Sequence, residues 1–148
     1  MKGWREFLEM ERPEGYCFTP WFKDDEGCLF LYAPDGFNSL SSEERESICN
    51  GIGAASGLSR LVPDTIWGLY VGIVGDIHDY SYWLGGTPED RETADAVFYH
   101  NLLVLIETHG GILAPLRRWR ARKYYLALRV GGWAHFGDGK REGRAYRD

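Results

Sequence analysis

Apolar and polar positions follow two different periods along this chain of 148 residues, short-period at the start and helical afterwards. Residues 15–23 and 28–33 are aromatic-rich runs separated by Lys23-Asp24-Asp25-Glu26-Gly27. Aromatic runs of this length, bounded by turn formers, predict a β-hairpin with an acidic turn. Pro20 lies inside the first run and cannot donate to a ladder, which assigns that run to a sheet edge. Pro34-Asp35-Gly36 predicts a turn, and Ser41-Ser42-Glu43-Glu44-Arg45-Glu46 a capped start to a short helix ending near Asn50-Gly51. Residues 50–59 are small and glycine-rich, which suits a loop whose backbone comes close to something else. From about Ile66 to Trp83 the chain is apolar with Gly68, Gly72 and Gly75, predicting a buried helix whose glycines permit close helix packing.

The next helix is the most clearly marked. Thr87 is placed to cap it, Pro88 takes the first helical position, Asp90 follows three residues after the cap, and Gly110-Gly111 ends it. Its apolar stripe comprises Ala94, Val97, Phe98, Leu102, Leu105 and Ile106. A third helix runs from about Pro115 to Val130 and stops at Gly131-Gly132, while residues 137–148 lack apolar periodicity and read as a loose tail. The expectation is a single α+β domain over residues 1–136, mainly helical. Two antiparallel helices and a third, basic helix form its body, and the N-terminal hairpin packs alongside.

Composition supports one core: 44% of residues are apolar, with six Trp, nine Tyr and seven Phe. No apolar run is long enough for a membrane span, and Met1-Lys2-Gly3-Trp4-Arg5-Glu6 lacks the shape of a secretion signal, so a soluble intracellular protein is expected. Cys17, Cys28 and Cys49 are odd in number and show no C-x-x-C spacing; they read as buried thiols, with Cys17 and Cys28 placed to face each other across the hairpin. The formal net charge of −5 hides an asymmetry: residues 1–50 hold 5 basic and 11 acidic side chains, residues 51–110 hold 2 and 8, and residues 111–148 hold 10 and 3. The segment from Arg117 to Lys123 therefore either neutralises the acidic remainder or meets a phosphate-bearing partner. Anionic lipid is the first such partner to consider and nucleic acid the less favoured one.

The candidate chemistry lies in His78-Asp79-Tyr80-Ser81-Tyr82 and Ala94-Asp95-Ala96-Val97-Phe98. Residues four apart share a helix face, so His78 and Tyr82 point together while Asp79 is rotated by about 100°. The short connector before Thr87 makes the following helix antiparallel, which brings Asp95, and Tyr99 one turn later, opposite His78. His78, Asp95, Tyr82 and Tyr99 form the candidate catalytic set, with His78 as a base and Asp95 fixing its tautomer. Asp79, beside the glycine-rich loop, is placed to help hold a hard cation. The same residues also suit a polar core network in which Tyr82 bonds Asp95 and Asp79 caps a loop amide. An open cleft at His78 would favour the enzyme, and full burial the network. A metal-dependent phosphohydrolase of the His…His-Asp…Asp kind is excluded because no histidine precedes His78; a Gly-x-Ser-x-Gly elbow and a phosphate loop are also lacking.

The chain is similar to a group of short bacterial and phage proteins of uncharacterised function. The residues that carry the likeness are Pro34-Asp35-Gly36-Phe37, Ser56-Gly57-Leu58-Ser59-Arg60, Trp67, His78-Asp79-Tyr80-Ser81-Tyr82, Arg91, Ala94-Asp95, Phe98 and the stretch 125–131. It covers roughly residues 28–133, with 38–50 as an insertion. This implies a phage- or prophage-associated protein, acting in the host cytoplasm or the phage particle on a phage or host protein. His-Asp-x-x-Tyr followed by an Asp on an antiparallel helix also resembles the phospholipase A2 superfamily, especially its disulfide-poor viral members. That resemblance implies a lipid or ester hydrolase using calcium. His78 would be the base, Asp79 a calcium ligand and Asp95 the orienting carboxylate, with Gly51 and Gly53 in the calcium loop. Gly72 stands where that superfamily usually has a further Asp, and Gly51 and Gly53 lie farther from the histidine than its loop does.

Overall fold

The computed structural model describes residues 3–22, 28–49 and 63–137; the acidic turn at 23–27, the glycine-rich loop and the tail beyond 137 lie outside the described residues. Among the described residues are helices α1 (Trp4–Leu8), α2 (Ser42–Cys49), α3 (Gly72–Leu84), α4 (Pro88–His109) and α5 (Ala114–Gly131). Strands β1 (Tyr16–Phe22) and β2 (Cys28–Pro34) form one antiparallel hairpin, and β3 (Thr65–Ile66) and β4 (Leu69–Tyr70) a second. The fold is α+β with helices dominant. Among the described residues no helix is long and apolar enough to cross a membrane.

Two helix starts follow the sequence signals. Thr87 Oγ1 accepts from the Asp90 amide at 3.1 Å while the Asp90 carboxylate accepts from the Thr87 amide at 2.9 Å. Ser41 and Glu44 do the same at α2, at 3.1 and 3.2 Å. Each box satisfies amide groups that a helix start leaves without partners, and Pro88 has no amide proton to place.

The core is organised around α4. Its buried residues run without a break from Val97 to Leu103, so it is covered on opposite sides rather than along one stripe. α3 and α5 pack on it, and α1 and β2 lie against its middle. The polar residues in that run each meet a neighbour's backbone. His100, stacked on Tyr32 with ring centroids 4.3 Å apart, donates from Nδ1 to the Phe7 carbonyl at 2.9 Å. Asn101 accepts from the Tyr32 amide at 3.0 Å and donates to the Tyr32 carbonyl at 2.8 Å, acting as a strand substitute on the edge of β2.

Several expectations are corrected. Residues 66–70 are not helical: Ile66 pairs with Leu69 across Trp67 and Gly68, both at positive φ (43° and 81°), as a tight two-residue hairpin turn requires. The helix starts only at Gly72. The glycines do not bring helices together either. A Cβ on Gly72 would run into the Tyr70 ring, while one at Gly68 or Gly75 would meet nothing within 4 Å. Cys17 lies opposite Ala33 in the ladder, not Cys28, because the register pairs Phe22 with Cys28. His100, inside α4, is 5% exposed, and burial lowers its pKa so that it stays neutral. The five-residue α1, too short to show a period, was not foreseen; its Phe7 packs on Tyr99 and Tyr125.

Because Asn101 satisfies both backbone polar groups of Tyr32, Asn101→Ala should cost about 2–3 kcal/mol in urea unfolding, the penalty for leaving two part-buried edge groups unpaired. An unchanged midpoint would show that the edge is satisfied in another way.

Candidate functional site

α3 and α4 run antiparallel through a short connector, and Asp95 lies where they meet, with no exposed surface. Its Oδ1 accepts from His78 Nε2 at 2.9 Å and from the Tyr82 hydroxyl at 2.6 Å. Its Oδ2 accepts from Arg129 Nη1 at 2.7 Å, and Arg91 Nη1 lies at 3.6 Å. Arg91 also donates to the Leu128 carbonyl at 3.1 Å, so one carboxylate joins α3, α4 and α5. A carboxylate can only accept, which places the proton on His78 Nε2.

Burial alone would raise the Asp95 pKa, but the hydrogen bond and charge of His78, with the bonds from Tyr82 and Arg129, hold it below the ordinary carboxylate value. The Tyr82 hydroxyl is shifted the opposite way by burial and by the Asp95 charge it faces, so it remains a neutral donor. His78 is 4% exposed and Tyr82 3%. The histidine ring is held between Tyr82 and Phe98, at centroid distances of 4.2 and 5.0 Å. Phe136 covers Tyr82 edge-on at 5.1 Å, and Gly137 donates to the Tyr82 carbonyl at 3.0 Å. At Gly132 the chain comes so close that a Cβ there would strike the Tyr82 hydroxyl.

His78, Tyr82 and Asp95 are therefore brought together. Tyr99 is not part of the group: its ring packs on Phe7 and Tyr125, at 4.9 and 5.1 Å, because its side of α4 faces α1 and α5. Asp79 also lies apart, on the side of α3 near Asp76 and Cys49. Burial first, then the neighbouring Asp76 charge, pushes the Asp79 carboxyl up to about 7. The Cys49 thiol rises to about 12 through burial and the charges of Asp76 and Asp79. Asp76 is bound by Arg45 at 3.0 Å. Gly51 and Gly53 lie outside the described residues. Among the described residues no group of three His, Cys, Asp or Glu side chains is arranged to hold a metal ion.

Two residues of the cluster, Arg91 and Arg129, lie within the resemblance but had no role assigned from the sequence. Arg91 stands four residues before Asp95 on one helix, a spacing that favours pairing and was available to notice. Arg129 reaches Asp95 only through the packing of α5, and no local pattern announces it. A solvent-open cleft of about 410 Å³ does exist elsewhere, lined by Thr19, Trp21, Phe37, Asn38 and Arg45 among others, and none of its lining residues belongs to the cluster. Comparison of the chain with protein-family models, with curated proteins and with solved structures finds no match.

The Asp79 shift carries a pH dependence. The folded protein keeps this proton up to about pH 7, whereas the unfolded chain releases it near the ordinary value of 3.8. Stability from the neutral acid is thus full at low pH and lost as pH rises from about 4 to about 7. Asp79→Asn, which cannot ionise, should stabilise by up to about 4 kcal/mol at pH 8 and by little at pH 4. Thermal melts across that range check it, and an equal effect at both ends would refute it.

Proposed function

We propose that this protein is a non-enzymatic binding or assembly component whose His78-Tyr82-Asp95 cluster is a structural lock. The observation that carries this reading is the closure of the cluster. A general base needs its ring beside space for substrate and water, and His78 is 4% exposed with aromatic rings against it. Asp95 does orient the imidazole as it would in a hydrolase, but it also binds Tyr82 and Arg129, which fits a satisfied polar core. The resemblance to short bacterial and phage proteins supplies the setting, with a phage or host protein as the partner.

The hydrolase reading, with lipid or ester substrate and calcium at Asp79, remains the competing proposal and rests on the 2.9 Å His78-Asp95 contact. Assay of phospholipid and simple ester substrates, with and without calcium, separates the two. Under the structural reading neither the parent nor His78→Ala turns over substrate, and the variant loses about 2–4 kcal/mol of stability because a buried charge loses a partner. Calcium-dependent turnover by the parent, abolished in a folded His78→Ala protein, would establish the hydrolase instead.

A further inference from the structure

The outer side of α5 departs from what a solvent-facing helix should be. Ala114, Arg117, Ala121 and Leu128 form its buried stripe. On the opposite side stand Leu116, Trp119, Lys123, Leu126 and Val130, spaced alternately by three and four residues. At the helical repeat these fall within an arc of about 80°. Leu116 is 49% exposed, Trp119 54% and Val130 80%, and Trp133, in the 3-10 turn that follows, is 70% exposed at the next step of the same spacing. An outward face of this kind is ordinarily polar.

The charged residues of α5 itself are of one sign. α5 contains no Asp or Glu. Three of its cations are engaged inward: Arg117 donates to the Ile66 and Trp67 carbonyls, Arg118 pairs with Glu107 at 2.6 Å, and Arg129 pairs with Asp95. Arg120 and Lys123 lie on indole rings instead. Arg120 Cζ is 5.1 Å from the Trp67 ring centroid and 5.9 Å from that of Trp119, and Lys123 Nζ is 5.2 Å from that of Trp119. Among the described residues no carboxylate lies within ion-pair distance of either cation.

We propose that this outer face of α5 is a docking seam for an acidic amphipathic helix of a partner protein. Its apolar residues would be spaced by three and four, with Asp or Glu on the flanks. The alternating spacing is that of helix-to-helix seams, and its narrow arc fits a single helix better than the broad apolar face that lies in a membrane surface. Leu116 and Val130 have no role on a nucleic-acid strand, which is met by stacking rings and cations. A second copy of this chain would set Arg120 and Lys123 against the same cations, whereas a carboxylate-flanked helix meets them with opposite charge. This inference rests on the binding reading above, but it concerns a different surface, so the hydrolysis assay and the following test fail independently.

The probe is a synthetic peptide of about three heptads, with Leu at the seam positions and Glu on both flanks, whose own charges discourage it from pairing with itself. A matched peptide carries Lys on the flanks. Titration into the full chain should show the Glu peptide binding at least about tenfold more tightly than the Lys peptide and weakening with salt. Trp119→Glu, an exposed change whose fold is checked by thermal melt, should weaken that binding at least about tenfold. No binding of the Glu peptide, equal binding of both peptides, or binding unaffected by Trp119→Glu would overturn the proposal. So would Trp119-dependent binding to phosphatidylglycerol vesicles or to oligo-dT in place of the peptide, or Trp119-dependent dimerisation in sedimentation equilibrium.

Discussion

The fold depends on the requirement that a buried carboxylate be fully bonded. Asp95 has no exposed surface, and an unpaired ion there would cost several kcal/mol. The groups that answer it come from separate helices: His78 and Tyr82 from α3, Arg129 from α5, and Arg91 from α4 itself. Satisfying one residue therefore sets the relative position of three helices. It also fixes Gly132, since a larger residue there would displace the Tyr82 hydroxyl from its bond.

α4 repeats the device along its length. One turn and a half beyond Asp95, His100 ties α1 through the Phe7 carbonyl and Asn101 ties β2 through the Tyr32 backbone. Apolar packing alone is tolerant of small shifts, whereas these bonds are directional and admit few arrangements. A helix covered on both sides gains its burial from apolar residues and its placement from polar ones. Motif resemblance and structural lock are compatible for this reason: a histidine held by a carboxylate on an antiparallel helix is rigid whether or not a substrate can reach it.

What was legible in the sequence was local. Both capping boxes, the aromatic hairpin, and the bounds of α4 and α5 follow from residues within a few positions of one another. The meeting of His78, Tyr82 and Asp95 was also legible, because a short connector forces antiparallel helices and the helical repeat does the rest. Tyr99 failed the same reasoning because α4 has two covered sides, and the repeat cannot tell which neighbour takes which side. The β3-β4 turn was hidden because Trp67 occupies a positive-φ position usually given to Gly or Asn. An apolar run with scattered glycines then reads as helix although the chain reverses.

That misread turn links the core to the surface. A tryptophan at φ 43° is unfavourable on its own, and residues so placed persist when their surroundings over-determine them. Here Arg117, 5% exposed, reaches from α5 to the carbonyls of Ile66 and Trp67 and holds the reversal from within. Trp67 is thereby set 42% exposed beneath Arg120, one helical step along α5 from Trp119. The buried cation of α5 fixes the backbone that presents an indole beside its exposed cations. The basic segment is thus not a uniform charged stretch: Arg117 and Arg118 answer carbonyls and a carboxylate of the fold, while Arg120 and Lys123 lie on indole rings.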